Sequence, residues 1–244
     1  MELFAFFALL LVAEVLGTIG GFGSSMLVMP LAGFFLPFDQ ALGLTAIFHV
    51  FSNAAKIVLF RQGISKQLLL WLGVPAVVGV IIGARLSYFL DQRVLGLCLG
   101  ILLTAMAGLL LVKRTWKLQA TNRNALLGGL LSGSVAGVAG TGGAIRGITL
   151  AAFDLEKMVF VSTSAWIDMG VDLSRSIIYA SQGYVTSSVL SYLPAMAVAS
   201  VLGSWLGKRA LAHIPQERFK SLVLLLVLVM GCVTIVQAMR GATA

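Results

Sequence analysis

The sequence predicts an all-α protein that crosses a membrane several times. Of its 244 residues, 59% are hydrophobic and 11% are charged, and the mean hydropathy is +1.01. A soluble domain carries about 25% charged residues, so this composition excludes an ordinary soluble fold. A helix needs about 20 apolar residues to span the hydrocarbon core of a bilayer, and several runs approach that length. They include residues 3–19, 67–84, 94–112 and 221–236.

Eight hydrophobic segments are predicted, of which the first and the fifth are interrupted by glycines. The two interrupted segments cover about 3–36 and 125–153, and each is expected to form a broken helical hairpin. Uninterrupted helices are expected at about 40–60, 67–88, 93–113, 158–180, 187–208 and 218–239. We interpret the whole chain, residues 1–244, as a single transmembrane domain.

The second half of the chain repeats the first half at an offset of 120 residues. Identical residues in an alignment without gaps include Gly20 and Gly140, Gly23 and Gly143, Gly83 and Gly203, and the Gln-Gly pairs at 62–63 and 182–183. These glycine and Gln-Gly matches are the evidence for a repeat, because matches between apolar residues mean little in so hydrophobic a chain. We predict two homologous repeats of about four hydrophobic segments each, at about 3–113 and 125–240, joined by a basic linker at about 113–124.

The positions of lysine and arginine favour inverted repeats. If each half crossed the membrane four times, the basic loop residues would divide seven to seven between the two sides. If each broken segment returns to its starting side, each half crosses three times and the division becomes eleven to three. Cytoplasmic loops carry an excess of basic residues, so we expect the inverted arrangement, with parallel repeats as the alternative. The net charge of +8 lies mainly in these loops, so we expect no nucleic-acid partner.

Glycine clusters at 20–23 and 140–143 mark the candidate substrate site. Exposed backbone in a bilayer costs several kcal/mol for each unsatisfied group, so matched breaks in the two halves indicate a binding site. Half-helix N-termini and successive glycine amides suit an anion, although close helix packing would also explain glycines. The predicted binding residues of the two breaks are Gly20, Gly21, Gly23, Ser24, Ser25, Gly140, Thr141, Gly142 and Gly143.

Arg146 is the most suggestive charged side chain, because it follows the second break by three residues. A cation there opposes the helix dipole and lies in a low-dielectric interior, and a bound anion would offset both costs. The alternative is an ion pair with Glu14, Asp168 or Asp172. His49 and Asn53, four residues apart on one helix face, are predicted to add hydrogen bonds to the substrate.

Glu14, Asp168 and Asp172 are candidates for carrying a coupling proton, since carboxylates inside membranes often serve proton relays. Hydrogen bonds between helices are the alternative role. Lys56 and Arg175 lie close to loops, which predicts that their side chains extend to the membrane surface. No nucleophile, metal-ligand or nucleotide-binding pattern is recognisable in the sequence. We therefore expect a protein that is not an enzyme and needs no metal or cofactor.

The segment from Gly17 to Pro30, GTIGGFGSSMLVMP, and its echo from Gly137 to Gly143, GVAGTGG, resemble the sulfite exporter TauE/SafE family. The resemblance covers essentially the whole chain. It implies a multi-pass secondary transporter of the bacterial inner membrane that moves a small anion, sulfite or a related sulfur-containing or organic anion, by alternating access. Its partners would be the anionic substrate and the lipid bilayer. The alternatives are an anion channel and a cation or proton-coupled carrier that uses Asp168 and Asp172.

Overall fold

The computed structural model of the chain describes residues 2–21, 23–61, 63–112, 119–153 and 155–213, together with parts of 225–239. Every regular element in these residues is helical, and none of them forms a strand. The predicted all-α class is therefore confirmed. Residues 113–118 of the predicted linker, Phe22 of the first break and half of the last predicted helix lie outside the described residues.

The first half contains six α-helices, one of which is only a single turn. They are α1 (Glu2–Gly20), α2 (Ser25–Ala32), α3 (Phe38–Leu59), α4 (Lys66–Leu68), α5 (Val74–Ser87) and α6 (Gln92–Val112). A π-helical segment, Leu69–Gly73, joins α4 to α5 without a break. Pro75 lies in the first turn of α5 and lacks the N–H that would continue the regular hydrogen-bond ladder, which accounts for this local widening.

The second half contains α7 (Asn122–Ala139), α8 (Gly143–Ala151), α9 (Lys157–Ser181), α10 (Ser187–Ser191) and α11 (Leu193–Leu211). The described residues between 225 and 239 are also helical. The sequence predicted one helix at 187–208, whereas the structure has α10 and α11. Pro194 in the first turn of α11 cannot donate to the preceding turn, so the helix is interrupted there.

Two of the described helices, Phe38–Leu59 and Lys66–Ser87, are long and apolar enough to cross a membrane. Phe6–Gly20 and Arg93–Leu109 are shorter apolar helices. One face of the Lys66–Ser87 helix exposes large apolar side chains at every fourth position: Leu70, Val74, Val78, Ile82 and Leu86. A stripe of this kind suits contact with lipid, because apolar patches of this size rarely face water.

Glycine allows α7 and α5 to approach closely. Gly129, Gly133 and Gly137 form a small-xxx-small pattern; a Cβ atom at Gly133 or Gly137 would overlap the backbone of α5, and one at Gly129 would overlap Leu72 of the preceding π-helical segment. Such a pattern permits backbone contact between membrane helices. In α11, Gly203 lies against Glu14 of α1, where an added Cβ would come within 2.7 Å of the glutamate side chain.

Both interrupted segments fold back on themselves. Gly17 of α1 lies directly against Ser24, which precedes α2. In the second half, Gly128 of α7 faces Thr149 of α8, and a Cβ there would lie 2.7 Å from the threonine methyl group. Gly23 and Gly140 have φ angles of 81° and 78°, a left-handed conformation that glycine adopts without strain. The breaks thus form tight turns that reverse the chain.

Candidate functional site

The two glycine breaks are in contact in the interior of the protein. Ser25, at the start of α2, and Thr141, within the second break, share a hydrogen bond of 3.1 Å between their hydroxyl oxygens. Both residues are buried. Sequence separation between them is 116 residues, so this contact depends on the folding of the two halves against each other.

Two narrow crevices lie on either side of Gly23. The first is lined by Gly21 and Gly23 of the first break together with Asn53, Lys56 and Asp168. Residues of both breaks, with several charged side chains, line the second crevice. Each of them has room for about one water molecule. An oxyanion would require side chains to move.

Most of the predicted binding residues lie along these crevices. Those that line at least one of them are Gly21, Gly23, Ser25, His49, Asn53, Gly140, Gly142 and Arg146. Gly20, Ser24, Thr141 and Gly143 are not lining residues of either crevice. Ser24 is fully buried, and its hydroxyl group is engaged with Glu14 and His49 instead.

Arg146 forms a buried ion pair with Asp168. Of the three carboxylates considered from the sequence, Asp168 is therefore the ion-pair partner. Ser164 bridges the pair, because it accepts from Nε of Arg146 at 3.4 Å and donates to Oδ2 of Asp168 at 3.3 Å. Both charged groups lie beside Gly23, where an added Cβ would be 3.6 Å from Nη2 of Arg146. This ion pair thus adjoins the first break.

Arg175 connects the second break to α9. Its Nε donates to Oδ1 of Asp172 at 2.8 Å, and its Nη1 donates to the carbonyl oxygen of Gly140 at 2.7 Å. The amide of Asn53 donates to the other oxygen of Asp172 at 2.7 Å. The prediction that Arg175 extends to the surface is wrong, since only 1% of the residue is exposed. A carboxylate and a free carbonyl at the break satisfy its charge instead.

Lys56 does not extend to the surface either, because it lies within an ion pair with Glu14 at 2.8 Å. Glu14 also accepts hydrogen bonds from four hydroxyl groups. These belong to Thr18, Ser24, Ser52 and Ser204, at 2.5–3.2 Å. A buried ion pair is tolerated when hydrogen bonds satisfy the remaining lone pairs, and Glu14 meets that condition.

The family of the protein follows from a comparison with known families. A model of the family described as Sulfite exporter TauE/SafE matches residues 5–234. The chain belongs to this family. Neither a curated protein nor a solved structure matches the chain. TauE/SafE is a family of membrane transporters, so membership supports transport rather than enzyme activity and assigns the apolar helices to a membrane.

Charge is balanced inside this TauE/SafE protein. The buried charged side chains in the described part of the chain are three carboxylates and three cations, which we call the charge cluster: Glu14, Lys56, Arg146, Asp168, Asp172 and Arg175. Each cation is paired with one carboxylate. These six side chains therefore carry no net charge among themselves. The described residues contain no group of three histidine, cysteine or acidic side chains that could hold a metal ion.

Sequence reasoning missed that Lys56, Ser52 and Ser164 contact the buried carboxylates of this TauE/SafE protein. Ser52 and Lys56 lie four residues apart on α3, as do Ser164 and Asp168 on α9. That spacing brings each hydroxyl group to its charged neighbour on the same helix face. These polar pairs at i, i+4 spacing could have indicated buried polar contacts from the sequence alone. They do not identify the partner residue on another helix.

Proposed function

We propose that the protein is a secondary transporter of small anions whose substrate site lies between the two glycine breaks. Sulfite, or a related sulfur-containing or organic anion, is the proposed substrate, on the basis of the family description. The observation that carries the proposal is the contact of the two breaks through Ser25 and Thr141, with a buried arginine lining the adjoining crevice.

In the proposed binding step, the substrate replaces Asp168 as the partner of Arg146. The planar guanidinium group matches the geometry of an oxyanion and can bind it through two parallel hydrogen bonds. Gly23 leaves space beside both members of the pair. Backbone amides of the glycine turns would add further donors to the same anion.

Asp168 is the favoured site for a coupling proton. An added anion brings negative charge into a low-dielectric site, which is costly. A proton on Asp168 would cancel that charge and release Arg146. Protonation of Glu14 or Asp172 would not release Arg146, since Glu14 is paired with Lys56 and Asp172 is held by Arg175 and Asn53.

An inverted repeat would supply alternating access. Each interrupted segment folds back, which would leave three crossings for each half and favours opposite orientations of the two repeats in the bacterial inner membrane. The two halves also make equivalent contacts with each other. Gly83 of the first half meets Ser134 of the second half, and its counterpart Gly203 meets Glu14, the counterpart of Ser134 at the same offset of 120 residues. Rocking of one repeat against the other around a central site is the usual mechanism of such transporters.

The other functions considered from the sequence are less well supported. A channel filter needs a path for the ion, whereas the two crevices have room for about one water each. A cation site at Asp168 and Asp172 would compete with Arg146 and Arg175, which already neutralise these carboxylates. Accumulation of sulfite against its gradient in proteoliposomes would separate a transporter from a channel.

Substitution of Arg146 tests the proposed site. In proteoliposomes, we expect Arg146→Ala to reduce sulfite uptake about a hundredfold, because loss of a buried charge partner costs about 3 kcal/mol. Arg61→Ala is the matched control, since this arginine is exposed at the end of α3. Removal of both charges in Arg146→Ala/Asp168→Ala avoids an unpaired carboxylate and protects folding. Uptake at the wild-type rate in this double variant would contradict the proposal.

A further inference from the structure

Glu14, Ser24 and His49 form a continuous hydrogen-bonded chain. The hydroxyl oxygen of Ser24 lies 2.5 Å from Oε2 of Glu14 and 3.0 Å from Nε2 of His49. The other ring nitrogen, Nδ1, lies 2.6 Å from the carbonyl oxygen of Thr45. All three members are buried.

A count of donors gives the protonation of this chain. A carbonyl oxygen only accepts, so Nδ1 of His49 must carry a hydrogen. Two hydrogen bonds meet at the Ser24 oxygen, which supplies one hydrogen. The second hydrogen belongs either to Nε2, which makes His49 an imidazolium, or to Glu14, which makes it a carboxylic acid.

We infer that Glu14, Ser24 and His49 together hold one transferable proton, at a site separate from the Arg146–Asp168 pair. In one form His49 is charged and Glu14 is ionised, and in the other both are neutral. Conversion needs no other reactant, since Ser24 passes its hydrogen to Glu14 while it accepts one from His49. The proton moves from one residue to the other and the total charge stays the same.

Charged groups face both ends of the chain. Glu14 meets Lys56 of α3, with hydroxyl groups from α1, α3 and α11 on its remaining positions. His49 lines the second crevice together with Arg146 of α8 and with Asp168, Asp172 and Arg175 of α9. Lys56 favours the ionised form of Glu14. At His49, Arg146 and Arg175 oppose the charged form of the ring, whereas Asp168 and Asp172 favour it.

The position of the chain suggests its use. Thr18 and Lys56, which contact Glu14, line the first crevice, whereas His49 lines the second. Ser24 lines neither crevice and is buried between Glu14 and His49. The chain therefore links residues of the first crevice to a residue of the second. Its role in coupled transport rests on the proposed function, but its protonation does not.

Spectroscopy on the full-length protein in lipid nanodiscs tests the shared proton directly. Nitrogen-15 NMR reports the charge of His49, because the sequence contains only two histidines and His213→Gln identifies the other. Infrared spectra, assigned with Glu14→Gln, report the protonation of Glu14. At neutral pH we expect the imidazolium fraction and the carboxylic acid fraction to add up to one proton. A neutral His49 beside an ionised Glu14 would overturn the inference.

Variants of the hydroxyl group distinguish a relay from a structural contact. We expect Ser24→Ala to abolish the shared proton and Ser24→Thr, which keeps the hydroxyl group, to restore it. Ser204→Ala is the matched control, since Ser204 also donates to Glu14 at 2.9 Å but is not part of the chain. The same loss of the shared proton in Ser204→Ala as in Ser24→Ala would contradict the relay.

Transport measurements then test the use of the proton. In proteoliposomes, we expect Ser24→Ala to lower proton-driven sulfite uptake about a hundredfold, as a positioned proton-transfer group contributes at least that much, with fewer protons carried per anion. Ser24→Thr should recover the wild-type ratio. If wild-type protein carries no anion, the proposed function fails while the spectroscopic result still decides the relay. An unchanged ratio in Ser24→Ala would overturn the relay's part in coupling.

Discussion

Two buried ion pairs in this protein have the same charges but very different surroundings. Glu14, paired with Lys56, also accepts hydrogen bonds from four hydroxyl groups. Three of them lie on α1, α3 and α11, and the fourth lies in the turn before α2. Asp168, paired with Arg146, has one further donor, Ser164. A carboxylate has about four lone-pair positions. Glu14 is thus saturated, whereas fewer hydrogen bonds to Asp168 are seen in the described part of the chain.

The difference separates a structural pair from an exchangeable one. Opening the Glu14–Lys56 pair would leave a buried lysine and break contacts to several helices. Opening the Arg146–Asp168 pair breaks fewer contacts and exposes a guanidinium group beside Gly23 and the crevices. Burial is similar in the two pairs, so the number of hydrogen bonds, rather than burial, indicates which pair an anion can enter.

The largest expected effect is the loss of stability when Glu14 is removed. We expect Glu14→Ala to lower the free energy of unfolding by about 3–5 kcal/mol, because Lys56 remains buried without a partner. Thermal unfolding of the purified protein in detergent measures this change. The double variant Glu14→Leu/Lys56→Met should recover much of the loss. Equal instability of the single and double variants would show that charge pairing is not the cause.

A second expected effect concerns anion affinity at the less saturated pair. Asp168→Asn removes the internal competitor for Arg146 with little change in volume, so sulfite should bind about tenfold more tightly, as for a charged hydrogen bond of about 1.4 kcal/mol. Calorimetric titration measures this affinity. In the wild type, acid protonates Asp168 and releases Arg146, so affinity should rise as the pH falls. The asparagine variant should lack this rise, and a matching pH dependence would contradict competition by Asp168.

The sequence predicted the local features of this comparison well. The interrupted helices at 3–36 and 125–153 were expected from their glycines, and α3 and α9 begin and end within a few residues of their predicted bounds. Apolar length, glycine and proline act over a few residues, so a sequence displays them directly. The contact of Ser25 with Thr141 brings the two breaks together, although the sequence did not identify this pair.

The partners of the charged residues were harder to predict. Arg146 had three candidate carboxylates, and only the crossing of α8 and α9 selects Asp168. Lys56 was expected at the surface because a loop is close in sequence, whereas Glu14 lies 42 residues away along the chain and meets it in space. Ser204 reaches the same carboxylate across 190 residues. Such contacts depend on how whole helices cross, which periodicity within a single helix does not record.

The smallest expected effect comes from deleting one hydroxyl group at each pair. Ser164→Ala removes the bridge between Arg146 and Asp168, whereas Ser52→Ala removes one donor to Glu14 at 2.6 Å. A single hydrogen bond contributes about 0.5–1.5 kcal/mol, so Ser164→Ala should change sulfite affinity by about two- to tenfold. Ser52→Ala should reduce only thermal stability, because Ser52 lines neither crevice. If both variants altered affinity equally, the saturated pair would also take part in binding, and hydrogen-bond number would not distinguish the two sites.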